Sequence, residues 1–328
     1  MLHYCKFMKF GSYMFKKTFL VIFSLLLLAP IQAAHAKKLN VITSIKPVHS
    51  LVTGVMGKSG EATLLLKGGL SPHIFRMRPS HIRALYEADV IFYVDPKLEE
   101  FLASALKKKN KHLKDIALAR QDGIKLQPYR KQKVWIRNTD AHDHDHETDM
   151  DLHIWLDPAN ARKMVEIIEE TLSRLDPDNS FTYIQNANRM ISRLYDLEEK
   201  IREELRPLRD KPMIVYHDAF QYFEKAFSLR SVGAILLKSD NTPSVKHLKK
   251  LKKLAKSKNI TCVLGSPGSH PRIATVVMSG TEAGYETIDP LGLYHDLGPD
   301  LYFNIMNEMA ENIVDCQNND NNFKLNLK

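Results

Sequence analysis

The sequence predicts an α/β fold of two lobes with mainly parallel sheets, joined by one long rigid helix. Three observations carry this expectation. Short apolar runs alternate with amphipathic helical stretches between residues 39 and 108. The same alternation returns between residues 213 and 314. Between them, over residues 178–208, stands the longest periodic segment of the chain. Short runs apolar on both faces, each followed by a helix, are what a parallel sheet covered by helices on both sides requires.

The elements follow in order. Leu39 to Ser44 (LNVITS) reads as a buried strand, and Ala62 to Lys67 (ATLLLK) as another after a short helical stretch. Pro79-Ser80 opens a helix with Ile82, Leu85 and Ala88 at helical spacing and Ser80 as N-cap. Val90 to Val94 is a strand, and Lys97 to Lys108 a helix burying Leu98, Phe101, Leu102 and Leu106. Residues 121–150 form a long polar loop, of the kind that is functional or disordered. In the periodic segment, Phe181, Ile184, Ala187, Ile191, Leu194, Leu197, Ile201 and Leu205 step by three or four, with Pro177-Asp178 as start and Pro207 as stop. A helix of about 26 residues is roughly 40 Å long. Strands then fall at Met213–Tyr216, Ser231–Leu237, Ile260–Leu264 and Tyr285–Ile288. The helices between and after them span His217–Phe227, Ser244–Lys256, His270–Gly280 and Leu301–Val314, and the Asn-rich tail frays from Gln317.

Composition narrows the class. The 328 residues carry 47 basic and 38 acidic side chains, a net charge of +9, 44% hydrophobic residues and three cysteines. Such a chain is neither disordered, collagen-like nor a disulfide-dense miniprotein. Lys6, Lys9, Lys16 and Lys17 precede an apolar run from Phe19 to Ala29, and Ala34-His35-Ala36 follows. This is the pattern of a cleavable secretory signal, too short in its apolar core to span a bilayer permanently; Met14 begins a compact signal of its own. Cleavage after Ala36 leaves 292 residues with 43 basic and 38 acidic side chains, a net charge of +5. Residues 1–36 are thus the signal, 37–177 an N-terminal metal-binding lobe containing the loop 121–150, 178–208 the linking helix and 209–328 the C-terminal lobe. Cys5 leaves with the signal, and in an oxidising compartment a disulfide between Cys262 and Cys316 is favoured over two buried thiols.

Histidine is the informative residue type. His142, His144 and His146 alternate with acids in a tract that can gather a divalent metal, against the alternative of a merely solvated loop. His73, His153 and His217 each lie at a strand end or helix start, where open α/β sheets place ligands. Any one of them alone would read as a structural histidine, whereas three in an exported two-lobed chain read as a ligand set. The lysine-rich helix with Lys246, Lys249, Lys250, Lys252, Lys253 and Lys256 carries a leucine stripe, so its charges read as a solvated outer face rather than a nucleic-acid surface. Trp155 reads as a wall beside His153. There is no GxGxxG, Walker loop, GxSxG or HExxH motif.

The runs SPHIFRMRPSHIRALYEADVIFYV, DLHIWLDPANAR, VYHDAFQYFEKAFSL and ETIDPLG resemble the periplasmic zinc-binding components of ABC importers, the cluster A-I metal-binding family. The resemblance covers nearly the whole mature chain. It implies that His73, His153 and His217 are Zn²⁺ ligands, and that Asp289, or a water, is the fourth. Pro72 stands where zinc-type relatives often carry Glu, and Gly265-Ser266-Pro267-Gly268 where they tend to carry a Glu-Pro-Gln pattern. The implied function is capture of Zn²⁺ in the periplasm and delivery to a membrane permease with a separate ATPase, by a monomer that is not an enzyme and has no nucleic-acid partner. Since imidazole must be neutral to ligate, binding should weaken as pH falls toward about 6.5. Two alternatives stand beside this reading. A manganese or iron carrier of the same fold would want a more carboxylate-rich shell. A secreted zinc hydrolase would want an open coordination position and a base such as Asp218 or Asp289.

Overall fold

The structure is a computed structural model that describes residues 38–68, 71–73, 75–130, 150–236 and 242–318. The signal segment, the tract with His142, His144 and His146, and the tail beyond Asn318 lie outside the described residues.

The first lobe is built on β1 (Val41–Thr43), β2 (Ala62–Leu64), β3 (Val90–Tyr93) and β4 (Lys114–Ala117). All neighbours are parallel, in the order β2-β1-β3-β4, with Val41 opposite both Ala62 and Val90. Its helices are α1 (Lys46–Met56), α2 (Pro79–Glu87) and α3 (Glu100–Lys107). A two-residue antiparallel pair follows, β5 (Gln127–Pro128) with β6 (Met150–Asp151). Then come α4 (Pro158–Leu175) and the 26-residue α5 (Ser180–Leu205). The second lobe contains β7 (Met213–His217), α6 (Gln221–Phe227), β8 (Ser231–Leu236), α7 (Val245–Ser257), β9 (Cys262–Gly265), α8 (Pro271–Met278), β10 (Gly284–Thr287) and α9 (Leu301–Asn318). Its parallel order is β10-β9-β7-β8. Counted from the first strand of each lobe, the two sheets therefore repeat one topology. In both, the chain leaves the first strand toward one side and later crosses to the other, which creates a switch point at the carboxyl edge where a crevice opens.

Several local expectations are corrected. Pro79, not Ser80, begins α2; the cap is at Arg78, whose backbone N–H is accepted by His81 Nδ1 from the third helical position at 3.2 Å, the part a Glu or Gln plays in a capping box. Ile82 is exposed, while Leu85 and Ala88 are buried. Phe181 and Ile184 are also exposed, because the first turns of α5 bury Tyr183, Asn186 and Ala187 instead. Gln317 is a buried part of α9, with its side-chain oxygen accepting from Thr261 Oγ1. Helix α4 and strand β4 were not anticipated, although Asp157 caps α4 by accepting the Ala159 N–H at 2.8 Å and Pro158 occupies its first turn.

One continuous apolar core runs through both lobes. It joins Val48, Leu51 and Phe92 of the first lobe to Met164 and Ile168 of α4, Leu194 and Ile201 of α5, and Val215, Leu264, Tyr302 and Met306 of the second. Where α1 crosses α5 the approach is close enough that a Cβ at Gly54 would lie 1.9 Å from Met190 Sδ. Asn186 on α5 also donates to the Val55 carbonyl at 2.9 Å. The outer faces of the two sheets have separate cores under α2–α3 and under α7–α8. A shared core resists splaying, because opening the lobes would expose apolar surface at about 25 cal/mol per Å².

Cys262, at the start of β9, is disulfide-bonded to Cys316 in the last turns of α9. No helix among the described residues is long and apolar enough to cross a membrane.

Candidate metal centre

The carboxyl ends of both sheets border one cavity of about 350 Å³. Lys46 enters after β1 and His73 after β2; Tyr216 and His217 end β7, Ser266 to Ser269 follow β9, and Asp289 follows β10. His153 and Trp155 enter from the segment between β6 and α4. The cavity thus lies where the repeated topology predicts a crevice.

The three histidines singled out in the sequence come together there. Their ring centroids are 6.1 Å apart for His73 and His153, 6.2 Å for His73 and His217, and 5.5 Å for His153 and His217. A tetrahedral zinc with Zn–N bonds of about 2.0–2.1 Å sets imidazole centroids about 5 Å apart. As placed, no three His, Cys, Asp or Glu side chains among the described residues form a closed metal cage. The rings need to close by roughly 0.5 to 1.2 Å to share a tetrahedral ion.

His153 is the most firmly positioned of the three. Asp151, buried in β6, accepts the His153 backbone N–H at 3.0 Å and its ring Nδ1 at 2.7 Å through one carboxylate oxygen. A carboxylate only accepts, so Nδ1 carries the proton and Nε2 is left with its lone pair for a metal. Asp151 is itself held from α6. Gln221 Nε2 donates to its other oxygen at 3.2 Å, and Tyr222 OH donates to its backbone carbonyl at 2.7 Å while accepting the Gln127 N–H at 2.9 Å. The β5–β6 pair is thereby tied to the helix that follows His217. Trp155 stands beside the ring, 5.3 Å between centroids, and its Nε1 donates to the Pro290 carbonyl at 2.8 Å, so it is the wall that was expected.

Asp289 lines the same cavity. Its two carboxylate oxygens accept the backbone N–H groups of Leu291, at 2.9 Å, and of Leu293, which fixes the group in its loop and leaves further lone pairs free to ligate. The loop is held from the first lobe by Lys46, whose ammonium donates to the carbonyls of Gly292 (2.9 Å), Leu293 (2.8 Å) and His295 (3.0 Å). Burial pulls the Lys46 ammonium below its ordinary value, with Asp289 and Asp296 opposing. A lysine in the first turn of a helix opposes the macrodipole, and this one is kept there by its three carbonyl partners in the other lobe.

Beneath His153 and His217 lies a cluster of charge. Arg130 faces Glu224 at 2.8 Å and Asp218 at 3.6 Å. Burial pushes the Asp218 carboxyl up to about 6, Arg130 opposes, and Asp151 and Glu224 add to the rise. Formally, the carboxylates of Asp151, Asp218, Glu224 and Asp289 exceed the cations Lys46 and Arg130 by two charges, a field that attracts a divalent cation. Sequence reading had not marked Asp151, Lys46 or Arg130. Only the i, i+2 spacing of Asp151 and His153 was available as a local signal.

The family described as "Zinc-uptake complex component A periplasmic" matches residues 41–316. The chain is 32% identical over 308 residues to the high-affinity zinc uptake system protein ZnuA of Brucella abortus (strain 2308), covering 84% of this chain and 91% of that protein. Among solved structures, a crystal structure of ZnuA superposes with a TM-score of 0.72 at 24% identity, covering 86% of this chain and 100% of that one. A mutant structure of the laminin-binding adhesin Lmb from Streptococcus agalactiae has a TM-score of 0.72 at 22% identity, covering 85% and 99%. The two structural likenesses concern the fold.

Proposed function

Since the chain belongs to the periplasmic component A family of zinc-uptake complexes, we propose that the Zn²⁺ it carries is held by His73, His153 and His217, with Asp289 supplying an oxygen. The protein is the zinc-binding periplasmic component of a zinc ABC importer, and zinc is its cargo. The observation that carries the site assignment is the convergence of three imidazoles from three separate segments at the cavity bordered by the carboxyl edges of both sheets. Three nitrogens and one oxygen suit tetrahedral zinc better than the oxygen-rich shells preferred by manganese.

The roles divide by rigidity. His153, braced by Asp151, and His217, at the end of a central strand, form the fixed half of the site. His73, on the loop after β2, closes on the ion once two imidazoles hold it. Because the lobes share a core, capture and release proceed through movement of that loop and small lobe adjustments, not through a wide clamshell. In this reading His142, His144 and His146 form an accessory tract that gathers zinc. The mature carrier begins after Ala36, is a monomer, has no catalytic residues and hands zinc to a permease driven by a separate ATPase.

Titration of metal-stripped mature protein against a chromophoric chelator is expected to show a tight equivalent of zinc that a large excess of Mn²⁺ does not displace. Displacement by Mn²⁺ would move the assignment to a manganese carrier. Asp151→Asn keeps an acceptor for His153 Nδ1 but removes its charge. It is expected to weaken zinc binding about 10-fold or more, within the 10–100-fold range usual for such partners. A change below threefold would remove Asp151 from the site's working parts.

A further inference from the structure

The positive charge of the mature chain is concentrated in one place. From Thr242 to Ala283 there are eight basic side chains and one acid, Glu282, whereas the other residues after Ala36 carry 35 basic and 37 acidic side chains. The entire excess therefore belongs to α7, β9, α8 and their turns. Helix α7 buries Leu251 and Ala255, and α8 buries Ala274 and Val277, in the outer core of the second lobe. Lys252 on α7 donates to Ser279 just after α8 at 3.0 Å, tying the two helices into one platform.

The outward side of that platform is basic and unpaired. Lys246, Lys249, Lys250, Lys253 and Lys256 are exposed. Among the described residues none of the five is in an ion pair. At spacings of three and four these lysines repel one another, each pair costing a few tenths of a kcal/mol. Val245 and Val276, 70% and 46% exposed, stand on the same two helices.

We propose that this α7–α8 face docks on anionic phospholipid. Lysine ammoniums on flexible stems match a diffuse layer of headgroup phosphates, whereas base or bidentate phosphate recognition would call for arginine forks and aromatic platforms. The exposed valines add shallow apolar contact at the interface. The helices of a parallel α/β unit cover the faces of its sheet whereas the cavity opens at the carboxyl edge, so a carrier resting on this face keeps its histidines uncovered. Docking would confine the loaded carrier to the membrane surface where the permease sits. The inference rests on the periplasmic setting and not on which residues bind zinc.

The test uses zinc-loaded mature protein with vesicles of phosphatidylcholine alone and vesicles containing about 30% phosphatidylglycerol, separated by flotation. Binding is expected only to the anionic vesicles. It should disappear between about 0.05 and 0.3 M salt, across which the Debye length shrinks from about 14 Å to about 6 Å. Each lysine near such a surface raises partitioning about fivefold, so combining Lys246→Gln, Lys249→Gln, Lys250→Gln and Lys253→Gln should lower it at least about 50-fold. Zinc titration of that variant is expected to match the parent, which separates this inference from the metal-site assignment. Equal binding to both vesicle types, no binding to anionic vesicles at low salt, or undiminished binding by the variant would overturn it. So would tighter retention on a duplex oligonucleotide than on anionic vesicles.

Discussion

His217→Ala is expected to lower zinc affinity by about two to three orders of magnitude while leaving the fold intact. The magnitude follows from dividing the roughly 10–16 kcal/mol of a four-ligand zinc site among its ligands, about 2.5–4 kcal/mol each. His217 is the last residue of β7 and half-buried at the cleft, so truncation removes no part of the apolar core. Chelator competition on metal-stripped protein measures the loss, and an unchanged far-UV circular dichroism spectrum certifies folding. An affinity within tenfold of the parent would mean that His217 is not a ligand. The effect should exceed that of Asp151→Asn, because a lost ligand bond outweighs a weakened orienting one.

Replacing both Cys262 and Cys316 by alanine is expected to cost about 4 kcal/mol of unfolding free energy, given the chain-entropy gain from closing a loop of this length. The two residues are 54 positions apart and both are buried. The bond fastens the end of α9 to the start of β9, and α9 contributes Tyr302, Met306 and Ile313 to the core shared by the lobes. Urea unfolding of the mature protein, with and without reductant, checks the value; a loss below about 1 kcal/mol would show that packing alone holds α9. Zinc affinity should change little, because Cys262 opens β9 whereas the cavity lies beyond its carboxyl end.

Much of this architecture is legible in the sequence because its signals are local. Continuous apolar runs such as VIFY and MIVY announce buried parallel strands, and the long spacing pattern of α5 announces a helix of the observed length. Helix α4 carries a legible period, Ala161, Met164, Ile168 and Leu172 stepping by three and four and all buried, with charged residues between them. Its start signal at Asp157-Pro158 was absorbed into the motif around His153. At the beginning of α5, Phe181 and Ile184 fit the period, yet no element among the described residues covers that face. Which turn of a helix is buried depends on its neighbours, not on its own pattern.

The candidate site divides along the same line. The strand-helix order, the cysteine pair available to an exported chain, and the three histidines at strand ends or helix starts are written in local pattern. That residues 73, 153 and 217 meet, that Asp151 sets the protonated nitrogen of His153, and that Lys46 of one lobe holds the Asp289 loop of the other emerge from the packed molecule. The reason is one of range. A helical or strand period is written within a few residues, whereas the histidines of this site come from segments many tens of positions apart, and their meeting is fixed by how two sheets of the same topology pack through a common core.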